Sequence, residues 1–332
     1  MNLVITLAAI LVASYVLVLL GKKIKVPGVV TFIIVGLIFD ISIIKSYLIK
    51  PHIDFILILG DIGLFCLMFL AGLETSWRLL YKEKRNAAFI AVFAALLPFF
   101  LGLIILSLLG FSFLTAATVG LCMSITAEAT KARVLLELKK LKTKLGAVMM
   151  GAGIIDDLIG LLLFLLITLS LRVYSIESFI ALGVIVSFFG GIIFHRKIGR
   201  TSKIVRTTEK LLLFLIVPFF FISIGIHFDF NSLVLNPFLL FLLIVVAIVG
   251  KLAGTLLTKP LTKLDWKQLY LIGWAMNSRG AIELALAILA FKMGLLTIEL
   301  YSGLIIVALV TTLIFPFIIT NFIKKNPKIM DR

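Results

Sequence analysis

The chain has 332 residues, 62% of them hydrophobic and only 14% charged, with a mean hydropathy of +1.24. That composition excludes a soluble globular domain, and repeated apolar runs longer than about eighteen residues make the chain an all-α polytopic membrane protein. The net charge of +16 does not point to a nucleic-acid partner, because the positive residues lie in short loops between apolar runs, where membrane topology puts them.

Eleven apolar spans follow one another, at about 3–20, 27–44, 55–73, 87–109, 113–138, 146–170, 177–195, 211–228, 237–258, 267–292 and 299–323. The first has the length of a signal peptide, but Lys22, Lys23 and Lys25 follow it instead of preceding it, which favours a retained helix. Cys66 and Cys122 lie inside apolar runs and read as packing residues without a disulfide framework. Lys and Arg alternate between loops. Those after odd-numbered spans carry Lys22, Lys23 and Lys25, then Arg78, Lys82, Lys84 and Arg85, then Lys139, Lys140, Lys142 and Lys144, and the later ones are equally basic. Loops after even-numbered spans hold only Lys45, Lys50 and Arg172, with Lys292 at a helix edge. The positive-inside rule then places the N-terminus outside and the C-terminus in the cytoplasm.

Residues 64–80 (LFCLMFLAGLETSWRLL) and 217–233 (VPFFFISIGIHFDFNSL) echo each other, and the topology makes the first exit inside and the second outside. Two like segments of opposite orientation indicate an inverted repeat. Spans 113–138 and 267–292 are poor continuous helices. The first is interrupted by Ser124, Ile125, Thr126, Ala127 and Glu128, the second by Met276, Asn277, Ser278, Arg279 and Gly280 ahead of Glu283. Hydroxyl, amide and glycine residues at mid-depth suit discontinuous helices, whose unwound backbone must face protein or a watery cavity.

The span GAVMMGAGIIDDLIGLLLFLLITLS, residues 146–170, carries Asp156 and Asp157 at its centre. At about 1.5 Å per residue they lie roughly 15–18 Å from its start, near the midplane of a ~30 Å hydrocarbon core. An aspartate there costs about 2.5–3.5 kcal/mol, so the pair needs counter-charges, cavity water, cations or protons. Adjacent helical residues diverge by about 100°, leaving the two carboxylates free to do different jobs. Lys251, some fifteen residues into LLIVVAIVGKLAGTLL, is too deep to snorkel easily, and an aspartate of the 146–170 helix is its natural partner. Glu128 with Lys131 or Arg133, and Arg279 with Glu283, are spaced for local neutralisation.

The run SITAEATKARVLLELKKLKTKLGAVMMGAGIIDDLIGLLL, with FLAGLETSWRLL, PFFFISIGIHFD, the lysine of VVAIVGKLAG, and NSRGAIELALAILAFKMGLL, resembles the monovalent cation:proton antiporter superfamily. The likeness is to bacterial sodium/proton antiporters with a paired-aspartate site and covers nearly the whole chain. It implies an inverted-repeat antiporter fold with two crossing discontinuous helices, organised as one transporter domain, 1–332. The first repeat spans about 1–171, a linker helix about 177–195 and a shortened second repeat about 209–323. Core, ion-translocating helices lie at about 87–170 and 237–323, and panel or interface helices at about 3–73 and 177–228. About eleven spans instead of about thirteen mean that two helices at the start of the second repeat are missing, which weakens the homodimer interface the resemblance implies.

Carried over, Asp157 is the cation and proton carboxylate, Asp156 its neighbour and the partner of Lys251, and Thr126 part of the first crossover. Ser124, Glu128, Asn277, Arg279 and Glu283 support the two crossovers. The implied activity is electrogenic exchange of Na+, with Li+ and K+ as alternatives, for protons by an elevator-like movement, without a cofactor beyond the ions carried. The rival readings are a sodium-coupled organic-anion symporter, a non-transporting sensor and an intramembrane aspartyl protease. A symporter can build its sodium site without adjacent acids, and a protease needs its two aspartates on different helices.

Overall fold

A computed structural model describes residues 2–23, 26, 28–74, 83–171, 176–198, 203–326 and 328–330. The described residues form helices and connecting turns. In chain order these are α1 (Leu3–Lys23), α2 (Gly28–Phe39), α3 (Ile53–Glu74), α4 (Lys84–Leu108), α5 (Phe113–Ser124), α6 (Glu128–Glu137), α7 (Lys144–Ser170) and α8 (Ile176–Ile198). They continue with α9 (Lys203–Leu215), α10 (Val217–Ile226), α11 (Phe230–Leu235), α12 (Pro237–Leu257), α13 (Trp266–Ala275), α14 (Ala281–Lys292) and α15 (Ile298–Lys325).

Among the described residues, seven of the eleven apolar spans carry a helix long and apolar enough to cross a membrane. The other four are shorter or divided. Span 27–44 holds the twelve-residue α2 and then an irregular helical stretch through His52. Span 211–228 is interrupted at Ile216, ahead of Pro218, where α9 gives way to α10. Spans 113–138 and 267–292 are each split into two half-helices, α5 with α6 and α13 with α14.

The chain divides into two compact units. One comprises Met1–Glu74 with Leu182–Asp229. Its core gathers Ile10, Val35, Phe39, Ile49, Ile56, Phe219, Ile222 and Ile226. Gly36 of α2 and Gly225 of α10 let two backbones touch, since a Cβ on Gly36 would lie 2.8 Å from the Gly225 Cα. Small residues give membrane helices this closeness, where dispersion replaces the hydrophobic effect as the packing force. The second copy of the echoed motif forms α10; the exit of the first, residues 75–80, lies outside the described residues.

The other unit comprises Thr75–Ala181 with Phe230–Arg332. Its core brings Ala87, Ile90 and Ala91 of α4 together with Val148 and Met149 of α7, Leu271 and Ile272 of α13, and Phe315 of α15. Helix starts are capped as the sequence chemistry directs: Ser112, Thr143, Asn236 and Thr297 accept from the backbone N–H three residues on. On α7 the run from Leu145 to Asp157 is buried except at Ile155. Further along, Leu162, Leu166 and Leu169 are exposed, as an apolar helix face turned toward lipid would be.

Candidate functional site

Both interrupted spans break where the polar residues fall. After α5 the backbone turns extended at Ile125 and resumes its helix at Glu128; after α13 it runs through Asn277 and Ser278 to the extended Gly280. The two breaks lie against each other. The Ala127 N–H donates to the Ser278 carbonyl at 2.8 Å, and the Ser278 hydroxyl donates back to the Ala127 carbonyl at 3.0 Å. Each break thereby satisfies backbone groups the other would leave bare in a water-poor interior.

The end of α5 would otherwise expose unpaired carbonyls. Arg279, fully buried, donates from one terminal nitrogen to the carbonyls of Cys122 at 3.1 Å and Ile125 at 2.8 Å. Lys251 donates to the Ser124 carbonyl, while the Ser124 hydroxyl donates to Leu121 at 2.8 Å. Positive side chains at a helix C-terminus also meet the negative end of its dipole.

Lys251 arrives there because α12 sits close on α4: a Cβ on Gly250 would lie 2.8 Å from Pro98. The ammonium has three protons and three kinds of acceptor: the Ser124 carbonyl, the Thr126 hydroxyl at 2.9 Å and the Asp156 carboxylate at 3.0 Å. Both side chains of that ion pair are completely buried. Thr126 in turn donates to Asp156 Oδ2 at 2.5 Å, and its hydroxyl lies 3.1 Å from the Met276 carbonyl of the second break. Asp156 is therefore neutralised and held by groups from α12 and the first break.

Asp157 is different. It is 4% exposed, yet its Oδ1 has no hydrogen-bond partner among the described residues. Lys251, the ammonium that could have served it, has its protons committed elsewhere.

The remaining sequence-derived candidates cluster around the breaks. Asn277 donates to the Gly273 carbonyl at 3.0 Å and leaves its Oδ1 without a hydrogen bond. Arg279 and Glu283 form an ion pair at 3.5 Å, both side chains buried. Glu128 opens α6, where a carboxylate meets the positive end of the helix dipole. Arg133 lies apart from the buried charges: it pairs with Glu137 at 3.2 Å on an exposed face. Lys131, which its spacing assigns to Glu128, is 1% exposed and donates to the Met149 carbonyl of α7 at 3.0 Å. Its depth behind a broken helix, with no loop within snorkelling reach, is the signal that could have marked it.

The model of the family described as "Sodium/hydrogen exchanger, transmembrane" matches residues 7–200 and 162–325. The chain belongs to the sodium/hydrogen exchanger family. As an exchanger of that family it is a multi-pass membrane antiporter of monovalent cations and protons. It is 25% identical to a Na+/H+ antiporter of Enterococcus hirae, over 96% of this chain and 97% of that one. It is 23% identical to the Na+/H+-K+ antiporter GerN of Bacillus cereus over 90% of each. The alignment to the Enterococcus protein runs over 381 residues, more than the 332 of this exchanger, so the relative carries residues for which this chain has no counterpart. The fold matches that of the sodium proton antiporter MjNhaP1 from Methanocaldococcus jannaschii, with a TM-score of 0.69, 15% identity and 98% of each chain covered.

Proposed function

We propose that this exchanger trades Na+, with Li+ and K+ as alternatives, for protons by alternating access, and that Asp157 is the carboxylate on which the two compete. The observation that carries the reading is Asp157 Oδ1, buried and without a hydrogen bond among the described residues, beside an aspartate whose charge is already met. Around the two breaks Glu128, Asp156, Asp157 and Glu283 face Lys131, Lys251 and Arg279, so the cluster is one positive charge short. A buried carboxylate cannot stay ionised and alone at tolerable cost. A proton or a monovalent cation supplies what is missing.

Competition becomes exchange if the site changes sides only when loaded, since a bare charge costs too much to carry through the hydrophobic barrier. Two carboxylates and one lysine let more than one proton move per cation, which makes the exchange electrogenic. Carbonyl and hydroxyl oxygens of the breaks are the neutral ligands within the same cluster, suited to a hard monovalent ion. The unit holding α4–α7 and α12–α15 is the ion-carrying core in this reading, and the unit holding α1–α3, α9 and α10 is the panel. The inverted repeat is supported by the shared plan of α5–α6–α7 and α13–α14–α15, a divided helix followed by a long one. A shortened second repeat is supported by the surplus residues of the Enterococcus relative and by the overlap of the two family matches at 162–200. Homodimerisation through the panel completes the proposal.

The test is sodium-driven proton movement in proteoliposomes, followed with a trapped pH dye. Wild-type protein should give dequenching that saturates with sodium, and Asp157→Asn should give none. Dequenching of full size in Asp157→Asn would overturn the assignment. Sodium-dependent uptake of a labelled carboxylate without proton flux would favour symport instead.

A further inference from the structure

The mechanism above leaves one buried cation unused. Lys131 lies on α6 and turns its ammonium onto α7, where it donates to the Met149 carbonyl at 3.0 Å and lies 3.7 Å from Met276 Sδ. The spot it occupies is defined by Gly153. A Cβ on that residue would stand 2.6 Å from Lys131 Nζ and 2.7 Å from Glu128 Oε1. Both head groups therefore share the gap left by one missing methyl group.

Asp157 is four residues beyond Gly153, on the same face of α7. A helical side chain leans toward the N-terminus and covers the turn before its own Cα. The Asp157 carboxylate thus covers the turn where Lys131 and Glu128 meet. The charged groups bearing on Asp157 are Glu128 from α6, Asp156 beside it, Lys131 from α6 and Lys251 from α12. Lys251 is committed to Asp156, and Arg279 is paired with Glu283. Lys131 is the remaining cation of the set, with Glu128, Asp156 and Asp157 bearing on it and Asp156 already served by Lys251.

We propose that Lys131 is shared between Glu128 and Asp157 and, as a tethered competitor of the transported cation, sets the affinity of the site. When Asp157 holds neither ion nor proton, the ammonium supplies part of the missing charge. Glu128 draws that charge away and so leaves room for a cation. Neither residue need touch the ion; both act on it through Asp157.

This inference rests on Asp157 as the carrier carboxylate, and it makes predictions of opposite sign. Two unit charges about 6 Å apart interact strongly enough inside a protein to change an equilibrium about tenfold or more. Lys131→Gln removes the competitor and should lower the sodium concentration for half-maximal exchange about tenfold. Glu128→Gln leaves the ammonium to Asp157 alone and should raise it about tenfold. The double variant should return near wild type, and Lys131→Arg should stay close to it. Half-maximal sodium is measured by dye dequenching in proteoliposomes, and directly by sodium-dependent thermal stabilisation of purified protein, with melting temperature without sodium reporting on folding. Shifts in the same direction for both single variants, or no shift in folded protein, overturn the proposal. If a single variant does not fold, the double variant and Lys131→Arg decide: a large affinity change in either overturns it. A wild type without sodium-dependent flux would instead fail the parent reading.

Discussion

At the scale of single residues, two carboxylates that adjoin in sequence have unlike surroundings. Asp156 takes a hydroxyl from Thr126 and an ammonium from Lys251, whereas Asp157 Oδ1 takes no hydrogen bond from any described residue. The ion pair gives a stability prediction. Lys251→Met strands a buried carboxylate, which should cost about 3–5 kcal/mol, while Lys251→Met with Asp156→Asn should recover much of that loss. Thermal unfolding of the purified variants in detergent checks it, and equal destabilisation of the single and double variants would contradict it. Gly153→Ala adds a methyl group against the flexible ends of Lys131 and Glu128, not against backbone. It should therefore fold with little loss of stability yet change half-maximal sodium for exchange.

Helices and their breaks pose a different question, that of backbone satisfaction. The non-helical segments at Ile125–Ala127 and Asn277–Gly280 survive in a membrane protein because they bond each other and because Arg279, Lys251 and Ser278 cover exposed carbonyls. Thr126→Val deletes the hydroxyl that ties the first break to Asp156 and Lys251. Leaving those buried partners short should cost about 1–3 kcal/mol and slow exchange, and Thr126→Ser should restore both. Unfolding and dequenching measured on the same preparations test this. At the crossing of α2 with α10, Gly36→Leu would force backbones apart, costing about 1–3 kcal/mol or more, with no direct effect on the ion cluster. Sodium dependence should stay as in wild type while the melting temperature falls.

The whole molecule moves charge across the bilayer in the proposed exchange, and its loops have sides. An electrogenic exchanger should change its rate when a potassium gradient with valinomycin imposes a potential across the proteoliposome membrane. An unchanged rate would make the exchange electroneutral. The proposed competition of protons and sodium for Asp157 also has a sign: over the range where protons occupy the site, each pH unit downward should raise half-maximal sodium, up to about tenfold. The charge pattern of the loops predicts that Lys142→Cys, in a background with Cys66 and Cys122 replaced by serine, reacts with an impermeant maleimide only from the cytoplasmic side. Labelling from outside alone would reverse the topology.

Local sequence chemistry places the chain in a bilayer, puts breaks in spans 113–138 and 267–292 and marks acidic residues at costly depth, but it does not announce the break at Ile216. These follow from local chemistry: long apolar runs, polar residues at mid-depth, and charges whose burial is costly wherever the chain goes. Sequence spacing also supplied the Arg279–Glu283 pair, although Arg279 lies in the break ahead of α14. Tertiary structure alone decided that Arg279 covers the end of α5 and that Lys131 reaches Gly153, and it pairs Lys251 with Asp156, the partner the resemblance implied. The reason is geometric. Those partners are separated by many residues or share a helix face only after neighbouring helices have docked, and no local pattern records the angle at which one helix presents its side chains to another.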